Sequence, residues 1–241
     1  FALAAGMTFA PSLGGWLNVS IGWRCLYTLT GMTAAMLFFI YFLQEAGNRP
    51  QPTTLAIIKA AVRSKTDRKN RYIYSFVYVT GVFHSGVFVW IIYYFTTQYG
   101  LDEFHIATDL FIFGLPGFVV SLLLYHYHLD KKVINILYLA LGLTAAGLLV
   151  LMGNLPLWLA ECLLGIMSLG FGCSQPLFIG ILKLPAQSNS ILRPAAIGSG
   201  LLFAGYGSGP LLMIPFLSVD LAPAMYWLIG LVLALAYLSG H

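Results

Sequence analysis

The chain has 241 residues, of which 59% are hydrophobic and only 8% charged. An average soluble domain is about 25% charged and already shows more than half its surface as apolar atoms, so this composition excludes a water-soluble globule and leaves lipid as the solvent. The net charge of +4 sits in the segments between apolar runs, which marks topology rather than nucleic-acid binding.

The sequence opens at Phe1 in an apolar, Gly-rich stretch with no basic region and no small-residue cleavage site. No signal peptide is predicted, and the chain reads as a fragment whose true N-terminus is missing. A spanning helix needs about 20 mostly apolar residues. Runs of that kind lie at 1–20, 25–44, 73–97, 106–125, 133–152, 156–182, 194–218 and 221–240. Spanning β-strands would alternate over about 10 residues, which these runs do not do. The expected fold is therefore all-α and polytopic, with about eight transmembrane helices. Cys25, Cys162 and Cys173 sit in apolar surroundings without disulfide or metal spacing, so no metal site and no cofactor are expected.

The first run contains Gly6, Ala10, Pro11, Gly14, Gly15 and Leu17, followed by Gly22-Trp23-Arg24. Small residues let helix backbones approach in lipid, and Pro11 removes one backbone hydrogen bond. The long segment 45–72 is the one internal boundary. Its 48–52 portion breaks helix, and Leu55, Ile58 and Val62 interleave with Lys59, Arg63 and Lys65 as either a surface amphipathic helix or a solvated basic linker. Segments 45–72, 126–132 and 183–193 together hold 11 of the 12 Lys and Arg, so they are predicted to be cytoplasmic. The seventh run carries Gly205-x-x-x-Gly209-Pro210, an echo of Gly6-x-x-x-Ala10-Pro11.

That first-helix pattern, G-x-x-x-G-P-x-x-G-G-x-L with Ala10 in place of its second glycine, resembles the antiporter motif of the major facilitator superfamily. Phe83–Phe88 and Phe113–Gly117 look like the seventh and eighth helices of its drug:proton antiporter branch. The resemblance implies a partial facilitator fold comprising helices five to twelve of twelve. Residues 1–44 would close the N-terminal half, 45–72 would be the cytoplasmic linker, and 73–241 would form the C-terminal half. Helix eleven would then be the counterpart of helix five, which accounts for the Gly205–Pro210 echo. The loop after the eighth helix keeps Asp130, Lys131 and Lys132 but lacks the family's glycines.

Ionisable groups inside a bilayer are costly, so each is a candidate for function. His84 lies mid-helix with Phe88 on its face, as a proton-coupling group or a packed histidine. Trp90, Tyr94 and Tyr206 either line an aromatic cavity for an apolar substrate, face lipid or pack in the core. Asp109 reads as an N-terminal carboxylate near the outer surface, facing the helix dipole. Glu161, Gly165, Ser168, Gly172 and Gln175 follow at spacings that put them on one face. Glu161 is there a proton carrier or cation contact, or else an interfacial carboxylate.

The reading these features support is a secondary active transporter of a small solute, proton-coupled and working in efflux, in the cell (inner or plasma) membrane. Its partners would be the lipid bilayer, a small-molecule substrate, protons and the missing N-terminal helices, without which residues 1–241 alone are expected not to transport. No nucleotide-binding loop and no intramembrane catalytic set occur in the sequence, so it is not expected to be an enzyme. The alternatives are a receptor or scaffold without substrate and an intramembrane enzyme.

Overall fold

The computed structural model describes residues 2–45, 68–126, 133–183, 192–218 and 220–240, without side chains at 173–183 and 192–196 and at a few helix ends. Among the described residues eight helices follow one another: α1 (Ala2–Ile21), α2 (Trp23–Glu45), α3 (Arg68–Tyr99), α4 (Glu103–His126), α5 (Val133–Leu151), α6 (Leu157–Lys183), α7 (Leu192–Leu217) and α8 (Leu221–Ser239). Each coincides with one predicted run. The starts of α3 and α4 differ most, lying earlier at Arg68 and Glu103. Hydropathy marks where lipid ends, whereas backbone hydrogen bonding continues through polar residues until something interrupts it. The amphipathic segment within 45–72, and Asp130 and Lys131, lie outside the described residues.

Trp23–Gln44, Arg71–Tyr99, Glu103–Val120, Ile197–Leu217 and Leu221–Ser239 are long and apolar enough to cross a bilayer, and Asn135–Leu151 and Leu157–Gly172 are shorter apolar helices. Large apolar side chains remain exposed on the outside of the bundle, such as Phe38, Leu139, Leu211 and Leu233. Only a hydrocarbon solvent makes that arrangement favourable. Lipid also removes the hydrophobic drive between helices, so close packing and interhelical hydrogen bonds must hold them together.

The most extensive contact is α3 against α7, followed by α4 and α5 against α6 and α1 against α4. α8 packs on α3 and α5. Among the described residues α2 touches α1 alone and buries none of its apolar stretch.

The turns are set by local chemistry. Gly22 (φ 77°) and Gly100 (φ 65°) take the left-handed conformation that ends α1 and α3. Asp220 caps α8, its carboxylate accepting from the Leu221 N–H at 2.6 Å. Asp102 caps α4, where Oδ1 accepts the His105 N–H at 2.9 Å and meets His105 Nδ1 at 2.6 Å. Those hydrogen bonds from His105 hold the Asp102 carboxyl below its usual range. A lowered carboxyl favours the folded cap above the ordinary carboxylate pKa, and the benefit disappears as pH falls through the lowered folded-state value. Acidification should therefore lower the protection factors of the amides at 103–106, in the first turn of α4, once exchange is referred to its intrinsic rate at each pH. Asp102→Asn should remove that pH dependence while leaving exchange in α8 unaltered.

Candidate functional site

Two seams fix the geometry around the candidate residues. In the first, α7 lies directly on α3. A Cβ added to Gly205 would strike the Tyr78 carbonyl and come within 2.9 Å of Gly81 Cα, and one on Gly209 would strike Ser85 Oγ. Tyr78 Oη and Ser208 Oγ hydrogen-bond across this seam at 2.9 Å. In the second, α4 lies on α6. Gly117 meets Gly172, the Gly117 N–H donates to Ser168 Oγ at 3.2 Å, and Pro116 faces Gly165. The small and polar residues of the α6 face thus point at α4.

Between these seams α6 approaches α3 and α7 mainly through side chains. Aromatic rings fill the gap. The His84 ring of α3 lies 4.7 Å from Phe171 of α6, 4.8 Å from Phe88 and 5.5 Å from Tyr206 of α7, centroid to centroid. Phe88 in turn meets Phe113 of α4 edge-on at 5.5 Å. His84 Nδ1 is buried and has no hydrogen-bond partner among the described residues. A buried polar atom without a partner carries its full desolvation cost, so this histidine is not a satisfied structural group. Tyr206 is the second predicted residue that the cleft contains.

Trp90 and Tyr94 lie elsewhere. They stack on each other at 4.8 Å and are buried in the core, Trp90 completely. Tyr94 Oη donates to the Leu151 carbonyl at 3.1 Å, and Tyr99 Oη donates to the Leu155 carbonyl at 2.9 Å. Leu151 ends α5, so its carbonyl has no helical partner and the tyrosine supplies one. The two phenols thereby fasten α3 to the α5–α6 turn. Of the readings open for Trp90 and Tyr94, core packing is the one their burial fits, on a different side of α3 from His84. Tyr94→Phe removes one such bond and should lower stability by about 1 kcal/mol, seen as a modest drop in thermal midpoint in detergent.

Asp109 departs furthest from the sequence reading. It was expected near the surface, three residues into a helix starting at residue 106. α4 in fact begins at Glu103, which puts Asp109 about 9 Å along the helix. It is 2% exposed, and its Oδ2 has no hydrogen-bond partner among the described residues. Glu161, half-buried on α6, lies within electrostatic reach of it, as does the exposed His105 one turn above. The sequence signal available was the i, i+4 alignment of His105, Asp109 and Phe113 on one face of α4. Gln175 extends the α6 face, but its side chain is outside the described residues.

The glycine-rich motif of α1 divides into two faces. Thr8, Ser12 and Gly15 address α4: Thr8 Oγ1 donates to the Gly114 carbonyl at 3.1 Å, and a Cβ on Gly15 would lie 2.6 Å from Ala107 Cβ. Trp16 Nε1 donates to Thr108 Oγ1 at 3.4 Å, and Asn18 Nδ2 to Glu103 Oε2 at 2.8 Å. Gly6 and Gly14 meet nothing within 4 Å among the described residues, and Ala10 is exposed. The close approach predicted for this motif is made by Gly15, whereas Gly205 and Gly209 of its echo both press on α3. Pro11 and Pro210 lie within their helices, α1 and α7.

Among the described residues no group of three His, Cys, Asp or Glu could hold a metal ion. The arrangement offers titratable groups and an aromatic cluster inside a helical membrane bundle. The family model described as Major Facilitator Superfamily matches residues 1–190. Comparison with curated proteins gave no match.

Proposed function

The chain belongs to the major facilitator superfamily, a family of membrane transporters, and from that premise we propose that the full-length protein is a secondary active transporter that expels a small solute in exchange for protons. The observation that carries this reading is the His84 cleft. It is a buried, titratable ring whose Nδ1 has no hydrogen-bond partner among the described residues, enclosed by rings of α3, α6 and α7, where α6 keeps its backbone apart from the α3–α7 pair. Such a gap can widen or close by rigid movement of packed helix pairs, because the seams α3–α7 and α4–α6 remain intact on either side.

In the same reading, residues 1–44 belong to one six-helix half and 73–241 form the other, with 45–72 as the cytoplasmic linker. The Lys and Arg bias orients the protein in the cell membrane, with Glu161 towards the outer side. The antiporter-like motif of α1 supports export.

The test is accumulation of a panel of fluorescent drugs and radiolabelled metabolites in cells expressing the full-length protein, with and without a proton gradient. Lower accumulation that returns to control levels when the gradient is collapsed is the expected result. Unchanged accumulation across the panel, or export that ignores the gradient, would reject proton-coupled efflux.

A further inference from the structure

Two titratable side chains of the bundle interior have a buried polar atom without a hydrogen-bond partner among the described residues: Asp109 at Oδ2 and His84 at Nδ1. Asp109 as a whole is 2% exposed. A carboxylate in that setting calls for a positive partner, and the helices packed on α4 supply none. α1 has no ionisable residue, and α4 has no Lys or Arg. The cations of α3 are Arg68, Lys69 and Arg71 in its first turn, and that of α6 is Lys183, its last residue. Asp109 lies near the start of α4, which follows the other end of α3 after a short turn, so the basic first turn of α3 is a full helix length away. His105, one turn above Asp109, is exposed and meets Asp102 at 2.6 Å.

The register of α4 turns Asp109 towards the aromatic cluster. Ala107 and Gly114 face α1, where they press on Gly15 and Thr8. Asp109, Phe113 and Pro116 share another face, at i, i+4 and i+7. On that face Phe113 meets Phe88 of α3 edge-on at 5.5 Å, and Pro116 lies 3.9 Å from a Cβ placed on Gly165 of α6. Phe88 is 4.8 Å from His84, whose ring also neighbours Phe171 and Tyr206. From carboxylate to imidazole is one helical turn and two ring-to-ring steps, on the order of 15 Å at most. An acid without a counter-charge, a row of aromatic faces and a nitrogen free to hydrogen-bond therefore follow one another over the length of a two- or three-ring molecule.

We propose that Asp109 is the counter-ion for the exported solute, and that this solute is a lipophilic organic cation. Its positive centre sits at the Asp109 carboxylate, its rings pack on Phe113, Phe88 and Phe171, and His84 offers a hydrogen bond at the far end. This rests on the transporter reading above and names the class of solute. Aromatic faces attract a cation as well as burying its rings. A carboxylate already held out of water loses little further hydration when it binds one, so the site is preorganised for positive charge. It selects a cation over an anion of the same size and shape.

Tetraphenylphosphonium and tetraphenylborate, a cation and an anion of one shape, test this in radiolabelled form. Their binding to the purified full-length protein in detergent is measured by equilibrium dialysis, with empty micelles subtracted. We expect saturable binding of the cation, at least tenfold tighter than of the anion. Asp109→Asn keeps the shape and removes the charge, so it should weaken cation binding at least tenfold, and Asp109→Glu should recover most of the affinity. Phe113→Ala should weaken it severalfold. Thermal midpoints verify that the variants are folded, and the preference of the unmodified protein for cation over anion needs no variant at all. No saturable binding of the cation, equal affinity for the two ions, or cation affinity unchanged in Asp109→Asn would overturn the proposal, the last by making Asp109 a structural acid. If other solutes are exported on a proton gradient yet the cation fails these tests, the solute class alone is wrong. If the cation binds as expected but export ignores the gradient, the coupling reading fails and the cation site stands.

Discussion

Gly205→Val should destabilise the protein by about 3 kcal/mol or more, at the upper end of what overpacking a tight core costs, while Gly207→Val two residues away should change stability far less. The contrast follows from the α3–α7 seam. At Gly205 a Cβ meets the Tyr78 carbonyl, Gly81 Cα and Val82 N, all backbone atoms that cannot rotate away. At Gly207 nothing lies within 4 Å among the described residues. Relief at Gly205 requires the two helix axes to separate, which would also lengthen the 2.9 Å contact between Tyr78 Oη and Ser208 Oγ. In lipid no hydrophobic force draws the helices back together, so packing lost here is not recovered elsewhere. Thermal unfolding of the purified variants in one detergent checks this. Equal midpoints for the two variants would show that the seam is not a principal source of stability. The same logic applies in α1, where Gly15→Val should be harmful and Gly14→Val mild, since only Gly15 meets a neighbour.

The eight helices were legible because lipid imposes a length and a composition on each crossing, and both can be counted. Family membership was legible from Gly6, Pro11, Gly14, Gly15 and Leu17 together with the echo at Gly205 and Gly209. Which face of each helix does the packing was less so. In α1 the small residues of the motif pointed to close approach without distinguishing among them, and it is Gly15, with Thr8 beside the motif glycines, that makes the contact with α4. A helix in lipid has no polar side to mark its exterior, so apolar periodicity carries little information about orientation. Trp90 and Tyr94 illustrate the same ambiguity, because an aromatic residue suits a cavity, a core or an interface. Asp109 was misread for a different reason. Its depth depended on where α4 begins, and the polar residues Asp102, Glu103 and His105 belong to the cap and first turn rather than to a preceding loop.

His84→Leu is expected to leave the fold intact and abolish most of the transport, a combination that separates a working residue from a packing one. Leucine is close to imidazole in size and suits contact with Phe88, Phe171 and Tyr206. It also removes a buried nitrogen that has no hydrogen-bond partner among the described residues. Deleting an unsatisfied polar group relieves its desolvation cost, so the thermal midpoint should stay level or rise, by the equivalent of about 1 kcal/mol. If His84 does no more than fill space, gradient-dependent export should be equally unaffected. The proposed function requires the opposite, since leucine can neither bind a proton nor hydrogen-bond a solute entering the cleft. Export in the cell assay should then fall at least tenfold, with protein abundance in the membrane unchanged. His84→Gln divides the two roles further. Glutamine can hydrogen-bond but cannot titrate, so a variant that still binds solute and no longer responds to the gradient would assign His84 to coupling. Recovery of gradient-driven export in His84→Gln would assign it to solute contact instead.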